Sequence, residues 1–107
     1  MEKILYIGRH TEILNTVIRL INANANWFGI GAETDAEAIS LFAEYDFSLV
    51  LLGCGIEKEN EDFLISHFTN LKPDITIVQH YGGGSGLLNS EIVLALSHKK
   101  NLTLGEK

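Results

Sequence analysis

The stretch FSLVLLGCGI, Phe47 to Ile56, decides the fold class of this chain. Its apolar run is typical of a parallel strand that is buried on both faces, and α/β proteins usually place their chemistry at the carboxyl ends of such strands. Here that end carries Gly53, Cys54 and Gly55. These three residues either form a site or stand where another site has been lost.

Segments typical of strands and helices alternate along the rest of the chain. The predicted strands are residues 3–8, 27–33, 48–54 and 75–81, and the predicted helices cover about 11–21, 35–45, 57–71 and 88–98. Four alternations with short connections predict an α/β domain with a parallel sheet and right-handed crossovers. The tail NLTLGEK alternates only enough, at Leu102 and Leu104, for a very short fifth strand.

Local signals define the helix ends and their inward faces. Thr11 is predicted to cap the first helix, and the spacing of Thr34 and Glu37 predicts a capping box for the second. Lys72 and Pro73 are predicted to end the third helix. Apolar residues at helical spacing are predicted to face the core, namely Ile13, Leu14, Val17, Ile18 and Ile21, then Ala38, Ile39, Leu41 and Phe42, then Leu64, Phe68 and Leu71, and finally Leu88, Ile92, Ala95 and Leu96.

Composition limits the functional classes. The 107 residues suffice for one domain, 1–107, and 46% apolar with 21% charged residues is typical of a folded globular domain. A net charge of -6 argues against direct nucleic-acid binding, which needs a basic surface. No apolar run approaches the roughly 20 residues that span a bilayer. The first residues do not resemble a signal peptide, and a single cysteine favours a reducing cytoplasm, so we expect a cytoplasmic protein.

The segment ETDAEAISLFAE, followed by YDFSLVLLGCG, resembles a stretch of response-regulator receiver (CheY-like) domains. The opening KILYIGRH also resembles that family's first strand, and the resemblance covers about residues 3 to 80. It implies a flavodoxin-like three-layer fold with four to five parallel strands in the order 2-1-3-4-5. It further implies a role in bacterial signal transduction.

The residues that carry phosphoryl transfer in that family have no counterpart here. Gly53 stands at the position of the phosphoacceptor aspartate, and a glycine has no carboxylate. Residues 8–10, Gly-Arg-His, replace the acidic pair that holds Mg²⁺. The family's hydroxyl residue falls near Gln79 or His80, and its fifth-strand lysine has no match. The resemblance therefore implies a degenerate receiver without cofactor or metal, which acts through protein contacts rather than as an enzyme.

Other chemistry at the same edge remains open as an alternative. The candidate pocket residues are Arg9, His10, Asp35, Cys54, His80 and Tyr81. A thiolate activated by His10 or His80 would make an enzyme or a redox sensor, and the same side chains would form an incomplete zinc set. We favour instead the interpretation that Cys54 is a small packed residue.

The glycine-rich loop offers a second alternative. Backbone N–H groups at the start of the fourth helix could bind a small anion, although the segment lacks the Lys-Ser/Thr of a P-loop and the spacing of a dinucleotide loop. We favour a flexible turn. The loop consists of Gly82, Gly83, Gly84, Ser85 and Gly86.

The end of the chain leads to a prediction about partners. The resemblance places the first and last helices on one face of the sheet and the second, third and fourth on the other. Because the chain stops soon after its fourth helix, the last helix is expected to be missing, so that residues 11–21 cover their face alone. We predict a homodimer or another protein partner that buries this face or pairs the edge strand. Exchange of the segment after the glycine loop between two subunits is a variant of this prediction.

Overall fold

Four parallel strands form one sheet in the computed structural model, which describes residues 1–80 and 85–105. The strands are β1 (Glu2–Ile7), β2 (Trp27–Ala32), β3 (Leu49–Leu52) and β4 (Thr76–Gln79). They alternate with α1 (Thr11–Asn22), α2 (Asp35–Glu44), α3 (Lys58–Leu71) and α4 (Ser85–Gly105). The strand order is β2-β1-β3-β4, so the predicted α/β fold and the order 2-1-3-4 are confirmed.

Helices cover both faces of the sheet, and alternate side chains of β1 and β3 point to opposite faces. Both sets of side chains are therefore buried. On one face, Ile4, Tyr6, Leu49 and Leu51 form a core with residues of α1 and α4. On the other face, Leu5, Ile7, Val50 and Leu52 form a core with residues of α2 and α3. Strands buried in this way have no polar face, which explains why SLVLL reads as a continuous apolar run.

Helix α4 lies on the same face of the sheet as α1. Its Leu88, Ile92 and Ala95 share one core with Leu14 and Ile21 of α1. The prediction that α1 covers this face alone is therefore wrong, and so is the bare apolar face from which a dimer was predicted. In the topology implied by the resemblance, this is the face of the last helix, so the chain passes from β4 directly to a helix in that position.

The predicted fifth strand is also wrong, because Leu102 and Leu104 belong to α4, which continues to Gly105. Its sequence from Leu87 to Leu104 contains no proline or glycine that would end a helix. The helix begins at Ser85, three residues before the predicted start. None of the described helices, α4 included, is long and apolar enough to cross a membrane.

The predicted helix signals have mixed outcomes. Thr34 accepts a hydrogen bond from the backbone N–H of Glu37 and forms the predicted capping box. The prediction for Thr11 is wrong, because this residue is the first of the helix and its hydroxyl donates to Glu33 Oε1 at 3.0 Å. Helix α3 ends at Leu71 as predicted. Two residues predicted to face the core are instead about half exposed, Ile13 at 48% and Leu71 at 59%.

Candidate functional site

The carboxyl ends of the four strands meet at one edge of the sheet, as the parallel arrangement requires. Residues 8–10 follow β1, residues 33–34 follow β2 and residues 53–57 follow β3, while His80 follows β4. Backbone hydrogen bonds join these ends directly: Gly53 N–H donates to Ile7 O at 2.7 Å, and His80 N–H donates to Leu52 O at 2.7 Å. The polar residues of this edge are therefore positioned by the sheet itself.

Tyr6 fills the space above the end of β3. Its side chain is 2% exposed, and a Cβ atom built on Gly53 would lie 2.2 Å from the Tyr6 hydroxyl and 2.6 Å from Cζ. A Cβ atom on Gly8 would lie 2.8 Å from Cε2 of the same ring. All three distances are shorter than the contacts that Cβ atoms make in proteins, so both positions favour glycine while the tyrosine is in place. No carboxylate side chain fits at position 53 in this arrangement.

The environment of the Tyr6 phenol keeps it neutral. Burial raises its pKa above the ordinary value near 10, and the Cys54 thiol beside it adds to the shift. A phenol that remains protonated is a neutral filler rather than a charged group. Tyr6 is not among the site residues predicted from the sequence. The available signal was the pair of glycines, Gly8 and Gly53, each two residues beyond the paired positions Tyr6 and Leu51.

Arg9 supplies a positive charge where the resemblance places a bound cation. Its guanidinium donates to Asp35 Oδ1 at 2.5 Å and to the backbone oxygen of Glu33 at 2.8 Å. The side chains of Arg9 and Asp35 are 24% and 27% exposed, so the ion pair is shielded in part from water. Arg9 thus connects the end of β1 with the start of α2 and forms an ion pair with the carboxylate of Asp35.

The loop after β3 packs against the loop after β1. Gly55 has φ +88°, a conformation that favours glycine. A Cβ atom there would lie 3.1 Å from Arg9 Cβ and 3.3 Å from His10 Nε2. The structure therefore brings Arg9, His10 and Asp35 to the same end of the sheet as residues 53–55. His10 itself is exposed.

His80 lies in the interior and connects β4 with α4. It is 4% exposed, its Nδ1 is hydrogen-bonded to Glu91 Oε1, and its ring meets the Tyr6 ring edge-on at a centroid distance of 6.5 Å. Glu91 is not among the site residues predicted from the sequence. Its position between Leu88 and Ile92, next to the buried stripe of α4, is a signal of a half-buried acid that needs a partner.

Cys54 is partly buried. In the described part of the chain, no hydrogen bond joins the thiol to His10 or to His80. No group of three or more His, Cys, Asp or Glu side chains among residues 1–80 and 86–97 has the geometry to hold a metal ion. The local chemistry is that of a thiol packed near a neutral phenol.

Two predicted parts of the site fall outside this description. Tyr81 and the loop residues Gly82, Gly83 and Gly84 lie outside the described residues. Ser85 and Gly86 form the first turn of α4, and a Cβ atom on Gly86 would meet nothing within 4 Å. The hypothesis of an anion-binding loop therefore stays a prediction.

Comparison with solved structures identifies the fold. A response regulator receiver domain protein from Clostridium thermocellum superposes with a TM-score of 0.80 at 16% identity, over 95% of this chain and 99% of that chain. A CheY-like receiver domain protein from Methanospirillum hungatei JF-1 gives 0.82 at 14%, over 94% and 98%. The signal receiver domain of an HD domain-containing protein from Pseudomonas fluorescens Pf-5 gives 0.80 at 15%, over 94% and 98%. No protein-family model matches the sequence, and neither does any curated protein.

These similarities, at identities below 20%, establish an architecture rather than an activity. The chain has the α/β fold of response-regulator receiver domains, here with four parallel strands and four helices in the described part. Tyr6, Arg9 and His80 lie at the carboxyl edge of this sheet.

Proposed function

We propose that this chain is a receiver-like signalling module that accepts no phosphoryl group and acts through contacts with other protein molecules, including a second copy of itself. The receiver fold supports the class of module. The residues at the carboxyl edge support the loss of phosphoryl chemistry. We further propose that the module works in the cytoplasm and binds neither nucleic acid nor membrane, which agrees with its charge of -6.

The observation that carries this proposal is the contact between Tyr6 and Gly53. In receiver domains the phosphoacceptor is a carboxylate, which the incoming phosphoryl group must reach in line. The position that would carry it has no side chain, and the Tyr6 hydroxyl fills the adjoining space to within 2.2 Å of any Cβ atom. Accordingly, the site is blocked sterically as well as lacking its nucleophile.

Arg9 supports the same proposal through electrostatics. Phosphoryl transfer in such sites needs a divalent cation between carboxylates and the phosphoryl oxygens. The Arg9 guanidinium is bonded to Asp35, so the nearest acid is already neutralised, and a second cation there would be repelled. Arg9 thus supplies, as part of the chain, the positive charge that a bound metal ion would otherwise bring to this edge.

We propose further that the chain is not an enzyme. A catalytic cysteine requires a base or a positive charge that lowers the pKa of its thiol. His80, the buried imidazole of this edge, is engaged by Glu91 on α4. The Cys54 thiol lies beside the neutral Tyr6 phenol instead.

Magnesium binding tests the proposal, because a working receiver site requires the ion. Thermal unfolding is compared in MgCl₂ and in KCl at matched ionic strength. A site filled at 100 times its Kd would stabilise the fold by about 2.7 kcal/mol and raise Tm by roughly 10 °C or more. We expect equal Tm values in the two salts. A rise specific to Mg²⁺ that disappears in Asp35→Asn would contradict the proposal.

A further inference from the structure

The two edges of the sheet differ in how their outward backbone groups are satisfied. At the β2 edge, the Asn22 side chain of α1 accepts from Gly29 N–H at 2.8 Å and donates to Gly29 O at 3.3 Å. This side chain blocks the middle of that edge against another strand. At the opposite edge, no described residue forms backbone or side-chain hydrogen bonds with the outer side of β4. Among the residues that the structure describes, the outer side of β4 is therefore the edge without hydrogen-bonding partners.

The register shows which β4 groups face outward. His80 N–H donates to Leu52 O of β3, and backbone groups alternate in direction along a strand. Thr76 and Val78 consequently pair with β3, whereas the N–H and C=O groups of Ile77 and Gln79 point away from the sheet. These four groups are the hydrogen-bonding positions of a further strand.

An apolar groove runs beside this edge, between β4 and α4. It has a volume of about 440 Å³ and is lined by Thr76, Ile77, Val78, Glu91, Leu94 and Ala95. Leu94 is 70% exposed, and Leu87, two helical turns earlier on the same side of α4, is 51% exposed. Apolar side chains thus stand next to unpaired backbone groups.

The charge distribution indicates which kind of partner fits this groove. The chain carries a net charge of -6, so most approaches between two copies are repulsive. The groove is an exception, because Glu91 is the one ionisable residue among its described lining residues, and it is bonded to His80. Among these described residues, a basic partner would find no free acid. The β4 segment Thr-Ile-Val-Gln is itself neutral and rich in β-branched residues, and it fits the same edge in a second copy.

We propose that two copies of this chain pair through their β4 edges, antiparallel about a two-fold axis at Val78. Ile77 of each copy then exchanges both backbone hydrogen bonds with Gln79 of the other, and Leu94 of each copy packs against its equivalent on the α4 face. The two sheets become one sheet of eight strands. This inference deepens the proposed function by naming the surface of self-association.

The area of the proposed interface determines the affinity that we expect for the dimer. A helix of 21 residues is about 31 Å long, and α4 with the strand beneath it is roughly 20 Å deep. The face is on the order of 600 Å² per copy, somewhat less than the roughly 800 Å² per partner of a standard stable interface. We therefore expect a dimer that dissociates on dilution.

Sedimentation and light scattering of the full chain, from micromolar to millimolar concentration, test the inference with two matched pairs of variants. Gln79→Pro removes the outward N–H, whereas Gln79→Ala removes the same side chain and keeps the N–H. Leu94→Glu places a charge in the groove, whereas Val93→Glu places the same charge one residue away, at a position that is 52% exposed and lies outside the groove. Circular dichroism checks that each variant is folded.

We expect a dimer for the unaltered chain, Gln79→Ala and Val93→Glu, and a monomer for Gln79→Pro and Leu94→Glu. A monomer at every concentration would overturn the inference, together with the self-association part of the proposed function. A dimer that persists in both Gln79→Pro and Leu94→Glu would overturn the inference alone, because it places the contact elsewhere. Loss of the dimer in Val93→Glu would equally overturn it. None of these results bears on phosphoryl acceptance, which the magnesium experiment tests separately.

Discussion

Tyr6 determines which side chains the neighbouring positions tolerate. Its ring lies against Gly8 and Gly53, which follow two different strands, and the three residues form one steric unit. The resemblance to receiver domains predicts that Gly53 stands where those domains have a reactive aspartate. In the structure, the Tyr6 ring leaves no room for a side chain at this position. An aspartate introduced at position 53 alone would therefore clash with the ring.

We predict that Gly53→Ala destabilises the protein by about 1–3 kcal/mol, because the new methyl group overlaps the Tyr6 hydroxyl. Gly86→Ala is the matched control, since a Cβ atom there meets nothing within 4 Å and the position is helical. This control should be neutral or stabilise by up to about 1 kcal/mol. Urea unfolding measures both variants. Equal stabilities for the two would disprove the steric role of Tyr6.

The raised pKa of the Tyr6 phenol predicts a loss of stability in alkali. The folded state keeps the phenol proton at a pH where the unfolded chain releases it, near 10. The folded state then binds more protons, so the free energy of unfolding falls as the pH rises above about 10. Tyr6→Phe removes this dependence. Denaturant unfolding at several pH values from 8 to about 11 measures the free energy of unfolding of the unaltered chain and of Tyr6→Phe. The difference between these two free energies should narrow or reverse as the pH rises. A constant gap would contradict the prediction.

At the level of elements, α4 shows what the sequence does and does not specify. The spacing of Leu88, Ile92 and Ala95 predicts correctly which side of α4 is apolar. It does not specify which face of the sheet receives that side, because both faces of β1 and β3 are apolar. The capping box at Thr34 was predictable because it is local, whereas the contact of Tyr6 with Gly53 joins distant segments and has no local pattern.

The position of α4 predicts that truncating the adjacent residues Ile92 and Val93 lowers the free energy of unfolding by different amounts. Ile92 is fully buried against the sheet, so Ile92→Ala should cost about 2–5 kcal/mol by creating a cavity. Val93 is 52% exposed, and Val93→Ala should change stability by less than about 0.5 kcal/mol. Chemical denaturation of both variants provides the measurement. A small effect at Ile92 would mean that α4 does not cover this face.

For the whole molecule, the receiver fold was predictable from the order of its segments and from the resemblance of residues 33–55. The glycine at position 53 and the Gly-Arg-His at residues 8–10 are visible in the sequence, and the inference that the chain accepts no phosphoryl group stays a prediction. The Tyr6 ring that fills the space beside Gly53 was not predictable, because this contact depends on the packing of segments that are distant in the sequence. The molecule has a parallel sheet that carries an ion pair and a neutral phenol at its carboxyl edge.

Intact-protein mass spectrometry after incubation with acetyl phosphate and Mg²⁺ tests the central claim most directly. A receiver domain that has an aspartate at the end of its third strand is treated in parallel as a positive control. We predict that the mass of this chain stays unchanged while the control gains one phosphoryl group. A stable, stoichiometric phosphoryl adduct on any carboxylate of this chain, Asp35 above all, would contradict the account.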